Sequence, residues 1–289
     1  MSLTSRCQIM LVHFPNLRLN FAVTGQRLPI SVCIIAGNEA HRIRRALAGV
    51  AGWTNEIIVV LNEEVSDGTD KIAESFGANV FREPWKGHVA QKNSAVDKAT
   101  QPWIFGLDAD EEVSAALRDE IIRVVTRAET NSGYAGHSLP RCTFYCGRWI
   151  RHGDWYPDRK VRLCRRGRAE WSGVDPHDAM VVNGRVGRLK HDLLHYSMEN
   201  LEHHARKMND YSNTFARRHG KSGRRASLVE MWFRPWWRFV RGYFLRLGFL
   251  DGWQGYVIAR MIAFETFLRY AKVREAQPPP AGNSGGPPA

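Results

Sequence analysis

The sequence predicts an α/β protein with a mainly parallel central sheet flanked by helices, followed by a helical segment towards the C-terminus. Three observations lead there. Short apolar runs alternate with helical-period segments between Ile30 and Leu107, the pattern of βαβ units and a parallel sheet. Polar clusters follow the first, second and fourth of these runs, where open parallel sheets bind ligands. Between Arg217 and Arg274 thirteen lysines and arginines face three acids, so net +10 of the chain's +12 sits in one stretch, interleaved with large aromatics.

Taken in order, Ile30-Ser-Val-Cys-Ile-Ile35 reads as a buried strand and Glu39 to Val50 as a helix through Ile43, Leu47 and Val50. Glu56 to Leu61 is a second strand, Ser66-Asp-Gly-Thr69 a turn opening a helix to Phe76, and Asn79 to Phe81 a short third strand. A helix from His88 to Ala99 leads into a fourth strand, Trp103 to Leu107. From Gly133 to Ser197 short strand-like pieces with many glycines predict an antiparallel half-domain. Glu199 to His219 reads as a polar helix, and Ser227 to Leu247 and Gly252 to Val273 have helical spacing. Pro235 is read as starting a helix, not interrupting one. Residues 1–28 form a weakly patterned extension, and the Pro/Gly-rich residues from Gln277 are expected to be disordered.

With 289 residues, 44% of them hydrophobic, and ten tryptophans, the chain has ample material for a large core, which excludes global disorder. Its charge of +12 favours a polyanionic partner: nucleic acid, anionic lipid or a phosphorylated substrate. The five cysteines, Cys7, Cys33, Cys142, Cys146 and Cys164, are odd in number and contain no Cys-x-x-Cys pair. Neither a disulfide framework nor a zinc ribbon follows, and a reducing, cytoplasmic setting is expected. The N-terminal stretch lacks a signal-peptide pattern, and no apolar run is long enough to span a bilayer.

The fourth strand runs directly into Asp108-Ala-Asp-Glu-Glu112. Carboxylates this close repel one another, and a hard cation such as Mg²⁺ or Mn²⁺ neutralises them. The alternative is an acidic cap on the following helix, because acids favour a helix N-terminus. Polar groups at two further strand ends, Asn38-Glu39 and Asn62 to Asp67, favour a nucleotide pocket. Glu111 and Glu112 read as opening the next helix.

The order of Ala36-Gly-Asn-Glu39, Ser66-Asp-Gly-Thr69, Gly87-His-Val-Ala-Gln-Lys-Asn93 and Leu107-Asp-Ala-Asp-Glu111 resembles family 2 glycosyltransferases of the GT-A fold. Phe81-Arg-Glu-Pro-Trp85, Tyr156-Pro-Asp-Arg-Lys-Val-Arg-Leu163, Trp171-Ser-Gly, His177-Asp178, Leu194-His-Tyr-Ser197 and Gly248-Phe-Leu-Asp-Gly252 narrow the likeness to the lipopolysaccharide core-type glucosyltransferase branch. The resemblance spans roughly residues 29 to 274. It implies a catalytic domain over 29–198, with a nucleotide-binding half to about 112 and an acceptor half to 198, then the helical segment 199–274 and a tail 275–289.

Such enzymes transfer a sugar with inversion from a nucleotide-sugar donor, usually with a divalent cation, Mg²⁺ or Mn²⁺. The resemblance makes Asp108 and Asp110 the Asp-x-Asp motif, Asp110 the direct metal ligand and Asp108 a contact to ribose or metal. It sets Asn38 and Glu39 near the nucleotide and Lys92 by the diphosphate or donor sugar. In the second-strand loop, which carries Asp67, the usual base-contacting aspartate is absent and Asn62 is the candidate replacement. Asp178 stands where the family often has a glutamate after histidine and is the expected catalytic base, with Asp175 its local competitor. His195 is open between a further metal ligand and a histidine bracing a strand edge. His191 and His195 lie in a strand-like run and need not share a face, so no zinc site is read there.

The basic aromatic stretch, with Trp232, Phe233, Trp236, Trp237, Phe239, Tyr243, Phe244 and Phe249 among Arg234, Arg238, Arg241 and Arg246, suits an anionic membrane surface. Packing of these rings on the catalytic domain is the alternative. Nucleic acid is disfavoured, because the bases are spread among large apolar groups without a ribonucleoprotein or zinc-finger signature. The expected function is transfer of a hexose, glucose by resemblance, from a UDP-hexose donor to a lipid-linked saccharide at the cytoplasmic face of the membrane. Transfer to a polyprenyl-phosphate-linked acceptor and a non-catalytic nucleotide-sugar-binding homologue are the alternatives.

Overall fold

The computed structural model describes residues 27–128, 133–174, 177–198, 200–220 and 226–276. The N-terminal extension before residue 27, the tail from Gln277 and Asp175 lie outside the described residues.

The parallel half follows the sequence pattern. Strands β1 (Leu28–Ala36), β2 (Thr54–Asn62), β3 (Asn79–Glu83) and β4 (Trp103–Gly106) are joined by helices α1 (Ile43–Ala48), α2 (Thr69–Ser75) and α3 (His88–Asp97). All pair in parallel, in the spatial order β3-β2-β1-β4. Ile30, Val32, Ile34, Val59, Leu61 and Phe105 are wholly buried because helices cover both faces of a parallel sheet. Helix α1 is shorter than its spacing suggests. The Glu39 and Ala40 amides are spent on Thr69 Oγ1 and Asp67 Oδ2, both at 2.9 Å, so regular helix begins only at Ile43.

Residues 136 to 198 do not form a separate antiparallel half-domain. Strands β5 (Glu111–Val113), β6 (Gly136–Tyr145), β7 (Arg148–Trp149), β8 (Asp158–Arg165), β11 (Val186–Arg188) and β12 (Leu193–Met198) extend the same sheet to ten strands, continuing from β4 as β8-β6-β12-β5. β6 is ten residues long and mostly buried, so both its edges demand partners; it takes β8 antiparallel and β12 parallel. Only β9 (Ala169–Val174) and β10 (His177–Val182) stand apart, as an antiparallel hairpin. The amphipathic helix α4 (Ala115–Ala128), N-capped by Ser114 Oγ to the Leu117 amide at 3.2 Å, joins β5 to β6.

The helical segment comprises α5 (Leu201–Gly220), α6 (Leu228–Val240) and α7 (Gly252–Glu275). Two buried carboxylates fasten it to the sheet. Asp251 accepts the Arg151 and His152 amides at 3.0 and 2.8 Å, and Asp154 pairs with Arg241 at 2.8 Å, Arg246 at 3.2 Å and Arg238 at 3.5 Å. Pro235 lies inside α6 and does not start it. The helix opens earlier with a capping box, Ser227 and Glu230 bonding each other's backbone, and the bond Pro235 cannot donate is lost on a helix with no buried residue. Val240 is followed by a π-helical turn, Arg241–Leu245.

Three glycines allow these pieces to stack. A Cβ on Gly248 would stand 2.6 Å from the Gly242 carbonyl oxygen, and one on Gly255 would stand 1.9 Å from that of Gly248. Gly255→Ala is expected to push α7 off this turn and lower stability by about 1–3 kcal/mol, as read by chemical denaturation. An unchanged denaturation midpoint would show that the packing tolerates a methyl group. Among the described residues no helix is long and apolar enough to cross a membrane.

Candidate active site

An open cleft of about 620 Å³ lies beyond the carboxyl ends of β1 and β4. Its walls bring together residues far apart in sequence: Glu39, Lys92, Asp108, Asp110, Asp178 and His195 from the sheet side, and Met208, Tyr211 and Ile262 from α5 and α7. The C-terminal helices therefore form part of the site as well as a surface.

Asp108 follows β4 and is held by two cations. Lys92 Nζ lies 2.9 Å from Asp108 Oδ1, and Arg162 reaches Asp108 Oδ2 at 2.6 Å. Burial opposes ionisation of Asp108, but Arg162 and Lys92 outweigh it and hold the carboxyl well below its usual range. Glu111 supports the loop from behind. It is wholly buried, accepts the Asp108 amide at 3.0 Å and pairs with Arg162 at 2.7 Å and Arg141 at 3.3 Å. Glu111 and Glu112 do not open a helix: they lie in β5, paired to β12, and α4 begins at Ala115. A carboxylate between two arginines gains more from those partners than from a helix terminus.

Asp110 faces His195, with Oδ2 and Nε2 3.5 Å apart. Its burial opposes ionisation, yet the imidazole keeps the carboxyl below the ordinary value. His195 is fixed by β12 and by Thr143 Oγ1, 3.3 Å from its Nδ1. The histidine thus braces the strand and also presents a ring nitrogen to the cleft. One carboxylate oxygen and one imidazole nitrogen on a shared opening suit a divalent cation that completes its shell with diphosphate oxygens and water. No group of three such side chains stands ready among the described residues. His191 turns elsewhere, to Glu120 at 2.8 Å.

Asp178, on β10, sits opposite Asp108 with Lys92 between them, its Oδ2 2.7 Å from Lys92 Nζ. The hairpin that carries it is pinned to α3 by Asn93, whose side chain donates to the Trp171 carbonyl at 2.9 Å and accepts the Trp171 amide at 2.8 Å. Lys92 also lies over the Trp171 ring at 4.3 Å. One turn of helix thereby sets both the lysine and the strand pair that bears the carboxylate.

Asn38, Asn62 and Asp67 do not line this cleft. They knit the loops after β1 and β2: Asn38 Oδ1 accepts the Ser66 amide at 3.1 Å, the Asn62 carbonyl accepts the Val65 amide at 3.1 Å, and Asp67 accepts the Ala40 and Thr69 amides at 2.9 and 3.1 Å. Glu39 lines the cleft while held by Arg42 through two bonds of 2.7 and 3.0 Å.

Sequence reasoning missed Arg162, Arg141, Asn93 and Trp171 as parts of the site. One signal was present: Arg162 stands in Val161-Arg-Leu-Cys164, an arginine within an apolar strand, which is tolerated only beside a buried carboxylate. On the far side of the cleft His204 meets Tyr145 OH at 2.8 Å, and burial pushes its imidazole down to about 4, so it is neutral at pH 7.

A parallel βαβ half feeding a carboxylate pair into a cation-lined cleft, with a mixed second half over it, is the GT-A arrangement of nucleotide-sugar transferases. The family model for glycosyl transferase family 2 matches residues 31–185. An uncharacterized glycosyltransferase of Rickettsia prowazekii is 33% identical over 261 residues, 85% of this chain and 87% of that protein. The lipopolysaccharide core biosynthesis glycosyltransferase LpsC of Rhizobium meliloti is 28% identical over 254 residues, 86% and 92% of the two chains. The structure of a mannosyltransferase of Pyrobaculum calidifontis, in complex with GDP-Man and Mn²⁺, shares the fold at 13% identity, with a TM-score of 0.50 over 86% of this chain and 87% of that one. The chain belongs to glycosyltransferase family 2 and is a glycosyltransferase.

Proposed function

We propose that this protein is an inverting, divalent-cation-dependent hexosyltransferase that moves glucose from UDP-glucose to a lipid-linked saccharide of the lipopolysaccharide core, working peripherally at the cytoplasmic face of the membrane. The observation that carries the reading is Lys92, which bridges Asp108 and Asp178 across one cleft. The likeness to LpsC, a protein of lipopolysaccharide core biosynthesis, supports the substrate class.

Asp110 and His195 would hold the cation, which when bound neutralises negative charge on the leaving diphosphate. Lys92 and Arg162 add fixed positive charge beside it. Asp178 takes the proton of the acceptor hydroxyl as its oxygen bonds to the anomeric carbon. The bond from that carbon to the diphosphate breaks on the opposite face, and the configuration inverts. The Asp178 carboxylate is engaged by Lys92. A diphosphate competes for the same ammonium and leaves Asp178 available to the acceptor. Its base is therefore freed by the donor.

The membrane part of the reading rests on exposed aromatics. Trp232 is 75% exposed and Trp253 55%, and Phe233, Trp236, Phe244 and Phe249 between them are also exposed, alongside arginines. Exposed rings with arginines alongside match a headgroup interface. Donor choice is tested by thermal shift across a panel of nucleotide sugars with Mn²⁺, with and without chelator. Stabilisation by UDP-glucose alone, lost on chelation, is the expected result; equal stabilisation by GDP-mannose would overturn the donor assignment.

A further inference from the structure

A second cleft, about 580 Å³, opens between α5, α6 and α7 and shares no lining residue with the active site. Arg234, Arg238, Arg241 and Arg269 converge on it. Among the described residues their local carboxylates are fewer than the arginines they serve. Glu230 pairs with Arg234 and Glu265 with Arg269, but Asp154 alone serves Arg238, Arg241 and also Arg246. Among the described residues the buried Nε donors of Arg241 and Arg269 have no acceptor. Burial and the neighbouring Arg241 and Arg269 push Arg238 below the usual arginine range. Such crowding is relieved by an anion, and guanidinium groups favour phosphate, which accepts paired N–H bonds.

The rest of the lining selects the kind of anion. Trp237, Phe233 and Val229 are exposed along the cleft mouth on α6, a helix with no buried residue. A small inorganic ion has no use for that apolar rim, whereas an amphiphile fits both parts. Resting on the membrane reading above, we propose that this groove seats the phosphate headgroup of an anionic bilayer lipid, with its acyl chains against the aromatic face of α6. The seat fixes how the protein sits on the bilayer, since α5 and α7 also wall the active-site cleft.

The test is co-flotation of the full chain with vesicles of phosphatidylcholine alone or mixed with phosphatidylglycerol, beside soluble short-chain phosphatidylglycerol and inorganic phosphate read by thermal shift. Wild type is expected to bind the phosphatidylglycerol vesicles roughly tenfold more tightly. Arg234→Gln with Arg238→Gln removes that margin, while Arg168→Gln with Arg188→Gln, an equal loss of charge at exposed positions outside the groove, keeps it. Equal weakening by both pairs means diffuse attraction and overturns the groove. Trp232→Ala with Trp236→Ala, outside the lining, weakens binding to both vesicle types and leaves the preference.

If wild type floats with neither vesicle, the membrane reading fails. The groove is then judged on the short-chain lipid. A shift lost in the groove variant supports a lipid-phosphate seat, the same shift with phosphate alone overturns the lipid assignment, and no shift with either overturns the site. Groove variants are scored only with an unchanged, single melting transition.

Discussion

Asp110→Ala is expected to lower kcat for transfer by at least about 10³-fold, equivalent to roughly 4 kcal/mol of transition-state stabilisation. The carboxylate faces the cleft opposite His195 and makes no other close ion pair among the described residues. On the proposed assignment its loss removes the cation's anchor and little of the fold. The readout is release of nucleoside diphosphate with donor and acceptor present, titrated with Mn²⁺ and Mg²⁺, beside a melting curve. Rate loss with an unchanged melting temperature is the predicted outcome, and chelation of the wild type should reproduce it. Full activity in the variant would remove Asp110 from the metal site. His195→Ala should raise the metal requirement while keeping measurable activity, because one of the two proposed ligands remains.

Asp178→Asn is expected to cost roughly 10²- to 10⁴-fold in kcat, the usual contribution of general base catalysis. A second effect runs the other way. Lys92 Nζ is shared between Asp108 and Asp178, at 2.9 and 2.7 Å. Neutralising Asp178 releases the ammonium towards a diphosphate, so the donor KM should fall while kcat collapses. A residue that merely capped a loop would lower both rate and affinity through local disorder. Lys92→Met provides the complement: donor KM should rise by about tenfold or more, as one charge-assisted contact is lost. A wild-type rate for Asp178→Asn would pass the role to another carboxylate, and Asp175 would be next to test.

The parallel half was legible almost residue by residue. A strand buried on both faces must be apolar throughout, and a crossover helix must show its own period, so β1, β2 and β4 declared themselves along the chain. The pieces between Gly136 and Met198 were visible as strands, but their partners were not. β6 pairs with β12 across a separation of about fifty residues, and nothing local distinguishes that partner from a neighbouring hairpin. The same limit explains Glu111: its position beside Asp110 suggested a helix start, whereas Arg141 on β6 and Arg162 on β8 draw it into the core.

Pro235 was misread because a local rule for helix starts competed with a stronger local signal, the capping box eight residues upstream at Ser227. The loops after β1 and β2 were flagged for their polar residues, and those residues do converge. Asn38 and Asp67, however, bond each other's loops and not the cleft.

By itself the sequence determined the family, the alternation of strands and helices, the placing of Asp108 and Asp110 just beyond the fourth strand and the concentration of charge and aromatics in the last third. These follow from periodicity and short-range order, which a linear chain carries explicitly. Only the tertiary structure decided that Lys92 stands between Asp108 and Asp178, that Arg162 and Glu111 brace the motif, and that α5 and α7 wall the cleft. Charges separated by tens of residues in the chain become a site only when sheet order fixes which strand ends meet, and that order is set by packing across the whole core.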